Sequence, residues 1–143
     1  MNNTALLVAS CLALVLLTFA VGARLLYVRT TEMREKHVHP QSASTSLQMA
    51  AKLQNVQAAD NFKNLFEVPV LFYALVGVAL AASHTPSWLV AGAWLFVALR
   101  AAHSYIHCTY NKVMHRFPVF LAGFMLVVGL WLAFFSTLPK NAV

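Results

Sequence analysis

With 143 residues, 60% of them hydrophobic and 10% charged, and a mean hydropathy of +0.69, the chain is too poor in charge to clothe a water-exposed globular surface. Soluble domains carry roughly 25% charged residues. Its formal net charge of +6 comes from Lys and Arg placed beside apolar runs, not among aromatics or on one recognition helix, which argues against nucleic acid as a partner. An all-α membrane protein of one domain, spanning residues 1–143, is the expectation.

The first apolar run starts at Thr4 and meets no charge before Arg24, predicting a helix over about 4–28. It is long enough to cross a hydrocarbon core of about 30 Å, which takes about 20 residues. Val8-Ala9-Ser10-Cys11 resembles a lipoprotein processing box, but no positive segment precedes it and the apolar run continues past the cysteine. An uncleaved membrane helix is expected there. Cys11 and Cys108 fall near opposite membrane faces, so no bond joins them.

A polar loop follows over about 29–45, broken at His39-Pro40-Gln41-Ser42. Ser44-Thr45-Ser46 is suited to cap a new helix. Since Leu47 to Asn64 holds no Gly or Pro, a single helix is predicted over about 46–83, projecting from the membrane before entering it. His84-Thr85-Pro86-Ser87 makes a tight turn into a third helix over about 88–110. Asn111 to Arg116 makes another, leading to a fourth over about 117–138. A membrane-spanning segment must pair its backbone groups internally, so each span is helical.

Orientation follows from the basic residues near the helix ends. Arg24, Arg29, Arg34, Lys36, Lys52, Lys63, Lys112 and Arg116 lie on one side, and only Lys140 on the other. The long loop is therefore expected in the cytoplasm and both termini outside it, in a membrane of bacterial inner type.

Ionisable groups inside such helices are costly and mark protein interiors or functional sites. Glu67 follows Asn64 by three positions on one helix face, with Pro69 just beyond. Arg100, His103 and His107 form an i, i+3, i+7 stripe of the third helix, prolonged by Tyr110 and Asn111. Glu67 is expected within reach of Arg100, on the same or a neighbouring subunit. The two histidines lack a Cys or acidic neighbour in sequence, so no metal is assigned. A net positive polar cluster at this depth suits a small anionic ligand.

Asp60-Asn61-Phe62-Lys63-Asn64-Leu65-Phe66-Glu67-Val68-Pro69 and Arg100-Ala101-Ala102-His103-Ser104-Tyr105-Ile106-His107, with Arg116 before the last helix, resemble the MAPEG family in its bacterial form. That family comprises membrane-associated proteins of eicosanoid and glutathione metabolism. The resemblance covers most of the chain and implies a homotrimer with glutathione as co-substrate between subunits. It implies a glutathione-dependent transferase or peroxidase acting on hydrophobic electrophiles or lipid hydroperoxides. The alternative is a non-catalytic lipid-binding or scaffold protein of the same fold, partnered by membrane lipids or hydrophobic small molecules. By position, Arg116 resembles the thiol-activating arginine, and Asn64, Glu67, Arg100 and His103 the substrate contacts. The chain departs from the family's enzymes at Asp60, where they carry an arginine; Lys63 stands as a partial substitute. His107 takes the place of a tyrosine, and Phe117 that of a serine.

Overall fold

The computed structural model describes residues 2–138, so Lys140, the basic residue expected on the terminal side, lies outside the described residues. The helices are α1 (Asn3–Glu35), α2 (Ser46–Lys52), α3 (Gln57–Asn64), α4 (Val68–Ala81), α5 (Ser87–Cys108) and α6 (Val113–Thr137), with a 3₁₀ turn at Pro40–Ala43. Four spans are long and apolar enough to cross a membrane: Asn3–Glu35, Gln57–Ala81, Ser87–Cys108 and Val113–Thr137.

Each span buries one stripe and leaves the rest of its apolar surface exposed. Leu7, Ser10, Leu14 and Val21 of α1 recur at helical spacing, as do Phe72, Leu75, Val76 and Ala79 of α4. Gly123, Val127, Leu130 and Phe134 do the same in α6. Phe19, Leu132 and Phe135 point outward, more than two-thirds exposed. Such outward apolar faces suit lipid, where only the bundle interior needs close packing.

The helices meet through small residues and aromatic contacts. Phe72 of α4 stacks on Phe96 of α5, ring centroids 4.9 Å apart. A Cβ built on Gly92 of α5 would collide with the Leu130 side chain of α6. One built on Gly123 would fall 2.6 Å from the Arg100 guanidinium. α5 and α6 therefore approach closely where glycine permits it.

At the terminal end, Asn2 caps α1 by accepting from the Ala5 N–H at 2.8 Å, and Asn3 donates to the Thr85 carbonyl. At the loop end, α1 runs well past the membrane. Its 33 residues correspond to about 50 Å, against the hydrocarbon thickness of about 30 Å. Glu32, in this extension, is 5% exposed and accepts from the backbone N–H groups of Gln54 and Asn55 at 2.7 and 3.1 Å. Lys36 bridges to it at 2.7 Å. The Gln54 N–H first, then Lys36 and the Asn55 N–H, hold its carboxyl well below the usual carboxylate range, at about 2.

The continuous helix expected over 46–83 is three helices. Thr45 and Gln48 form a capping box that opens α2. The first break, at Leu53–Val56, arises where Glu32 takes the N–H groups of Gln54 and Asn55 and Leu53 is buried. The second separates α3 from α4 at Leu65–Glu67. Pro69 has no N–H for the Leu65 carbonyl, and its ring crowds that turn. Glu67 takes up φ −94° and ψ −86° in response.

Candidate functional site

The buried polar side chains gather at the loop end of the bundle, mainly on α5. Leu89, Ala93, Phe96, Arg100, His103 and His107 continue one stripe, apolar at its start and polar at its end. The same 3.6-residue period that aims Phe96 into the core aims Arg100 there. Arg100 is 1% exposed. Its Nη2 donates to the Phe120 carbonyl at 3.2 Å, and its guanidinium lies 5.5 and 5.2 Å from the Phe96 and Phe120 ring centroids. Gly123 leaves the space it occupies.

The expected approach of Glu67 to Arg100 is not made within the chain. Glu67 is exposed at the α3–α4 break, and no carboxylate meets the guanidinium among the described residues. The π faces of two phenylalanines and one carbonyl compensate the cation instead. Arg100 Nε and both ring nitrogens of His103 are buried without a hydrogen-bond partner. The His103 ring packs against Phe120 and His107, at centroid distances of 5.6 and 5.7 Å.

Arg116, at the start of α6, is half-buried. Its Nη1 donates to Asn111 Oδ1 at 2.6 Å and lies 3.0 and 3.3 Å from the two ring nitrogens of His107. Asn111 adopts φ +47° in the α5–α6 turn, a left-handed conformation that asparagine tolerates better than most residues. Arg116 Nε and Nη2 form no hydrogen bond to the described residues.

The structure thus divides the residues singled out from the sequence. Arg100, His103, His107 and Arg116 come together between α5 and α6. Lys63 and Glu67 are exposed and Asn64 half-buried around the end of α3, without a hydrogen bond or ion pair to that group among the described residues. Residues outside the sequence selection complete the interior. Asn61 is fully buried, accepts from Ser104 Oγ at 3.3 Å and donates to Cys108 Sγ at 3.3 Å. Arg24 ties α1 to this end by donating to the Cys108 carbonyl, a favourable place for a cation at a helix C-terminus. The available signal was the placement of Asn61 one turn before Asn64 and of Ser104 one turn after Arg100.

A groove of about 760 Å³ runs between α1 and the α3–α4 pair. Phe19, Gly22, Leu26, Phe62, Phe66 and Tyr73 line much of it. Its size is that of a small-molecule site, and its walls suit an apolar occupant.

Residues 7–136 match the family model described as MAPEG family. No curated protein and no solved structure matches the chain.

Proposed function

Because the chain belongs to the MAPEG family, we propose that it is a membrane enzyme that uses glutathione, as a transferase or peroxidase, against hydrophobic electrophiles or lipid hydroperoxides. The supporting observation is Arg116: a half-buried cation at the end of a membrane bundle, with its Nε and Nη2 unengaged by the described residues. A cation in a partly dry setting favours a thiolate over a thiol. The thiol proton leaves to water, and the sulfur electron pair then bonds to an electrophilic carbon as a π bond opens or a leaving group departs with its electron pair. With a hydroperoxide it bonds to the terminal oxygen as the O–O bond breaks, and the lipid alkoxide takes a proton from water. A second glutathione reduces the sulfenic acid to give the disulfide and water. The apolar groove offers the second substrate a lipid-side approach.

Glu67, Lys63 and Asn64 lie on the outer side of the α3–α4 junction. In this reading they act in a homotrimer, facing a site completed by a neighbouring copy. The Lys and Arg bias supports an orientation with the long loop in the cytoplasm, where glutathione is supplied, and both termini outside. In this reading the membrane is of bacterial inner type, in keeping with the simple four-span layout. A second reading, a non-catalytic lipid-binding or scaffold protein, draws on the same groove and on Asp60, an exposed acid one turn before Asn64. An acid there repels an anionic peptide.

Calorimetric titration of the detergent-solubilised protein with glutathione separates the two. Saturable binding is expected, with thiolate absorbance near neutral pH, below the free thiol range of about 8 to 9. Arg116→Ala should remove that absorbance from a folded protein, and Asp60→Arg should tighten binding by supplying a partner for a carboxylate. If neither wild type nor Asp60→Arg binds, the non-catalytic reading stands.

A further inference from the structure

The α5–α6 turn does more than connect two spans. Its Asn111 makes the shortest of the three side-chain polar contacts to Arg116, 2.6 Å to Nη1, and His107 lies beside the same nitrogen. Nothing among the described residues engages Nε or Nη2. A guanidinium has two edges able to grip an anion with parallel donors: Nη1–Nη2 at its tip and Nε–Nη2 along its side. Asn111 takes one of the two Nη1 hydrogens and His107 crowds the same nitrogen, so a paired grip on the tip competes with both, whereas the side edge is free of described partners.

We propose that Asn111 is a positioning residue that selects which edge of Arg116 meets an anionic ligand, and that His107 supports it. The ligand is thereby met by Nε and Nη2 together. Two features of Asn111 serve this at once. Its short amide tolerates φ +47°, which closes the turn and brings position 111 beside position 116. Its carbonyl oxygen then accepts from the guanidinium. His107 lies beside Nη1 from α5 without adding a carboxylate that would neutralise the cation. The proposal rests on Arg116 being the thiol-activating residue only for its consequence in catalysis; the edge selection itself is a property of the free protein.

The test uses phenylglyoxal, a dicarbonyl that condenses across the two terminal nitrogens of a guanidinium, with Arg116 and the exposed Arg34 followed by peptide mass mapping in the intact detergent-solubilised protein. Asn111→Gly keeps the left-handed turn, because glycine adopts positive φ freely, and removes the acceptor. Arg116 modification relative to Arg34 should accelerate about tenfold, the size of one lost charge-assisted hydrogen bond. Asn111→Asp keeps the turn and strengthens the acceptor, so it should slow modification below wild type. This second variant stands as a test even if the glycine variant fails to fold. Equal Arg116 rates in wild type and both variants overturn the proposal.

A glutathione arm then reads the consequence. The pH midpoint of bound thiolate should rise in Asn111→Gly toward the free thiol value of about 8.5, a shift that a merely structural turn residue would not produce in a protein of unchanged melting temperature. An unshifted midpoint, with thiolate formed in wild type, also overturns the proposal's catalytic consequence. If wild type forms no thiolate while Asn111→Gly still exposes Arg116 to the reagent, the edge selection stands and the enzyme reading fails.

Discussion

Arg100 shows how a buried cation can be sheltered with no ion pair to the described residues of its own chain. A buried cation is costly in lipid, and a carboxylate partner is only one way to reduce that cost. Here two aromatic faces and the Phe120 carbonyl surround the guanidinium, in space that exists because position 123 is glycine. Gly123→Ala puts a Cβ 2.6 Å from Arg100 Nη2, and this overpacking should destabilise by about 1–3 kcal/mol. Arg100→Met removes the guanidinium and leaves space that an alanine methyl at position 123 partly fills. The double variant should therefore melt higher than the sum of the single effects predicts. Additive melting shifts in detergent would show that the two positions do not share that space.

Among the elements, the extension of α1 organises the segment that follows it. Glu32 fixes the α2–α3 junction by accepting two of its backbone N–H groups, and Lys36 steadies the carboxylate. Its folded pKa, about 2, lies below the ordinary 4.5. A depressed carboxyl contributes stability that is fully present above the ordinary value and is lost as pH falls through the folded one. The wild-type melting temperature should therefore fall between about pH 4.5 and 2 more steeply than that of Glu32→Gln, since the amide does not titrate. At neutral pH the same variant should speed hydrogen exchange at the Gln54 and Asn55 amides, with the membrane spans unchanged. Parallel acid melting curves would mean that the clasp carries no stability. The break at Leu65–Glu67 belongs to this scale as well: Pro69 ends the polar α3 where the apolar α4 begins, and leaves Glu67 at the joint.

At the scale of the whole molecule, four apolar spans enclose one polar end, and that end carries most of the basic residues. Single cysteines introduced at Ser42 and Lys112, in a background with Cys11 and Cys108 replaced by serine, should react with impermeant maleimide only from the cytoplasmic face. One at Thr85 should react only from the outer face. Labelling of positions 42 and 85 from the same face would contradict the four-span topology. Asn3, donating to the Thr85 carbonyl, already ties the start of α1 to the α4–α5 turn, so both belong to one end of the bundle.

The sequence by itself determined the number of spans, the polar stripe of α5 and the family resemblance, because each rests on local chemistry. Run length against bilayer thickness, side chains at a 3.6-residue period and motif spacing need no knowledge of what lies across the bundle. What only the tertiary structure decided involves partners far apart in the chain. Glu32 and Gln54 are separated by 22 positions and Asn61 and Ser104 by 43. Neither the break at Leu53–Val56 nor the interior role of Asn61 is visible in a window of one helix. Arg100 and Arg116 also take their partners from packing and turn geometry, though Asn111 lies only five positions from Arg116. One depends on how closely Gly123 lets α6 approach, and the other on a left-handed turn that brings Asn111 back against α6. Periodicity states which face a residue occupies, whereas packing distance and turn geometry choose the atom it meets.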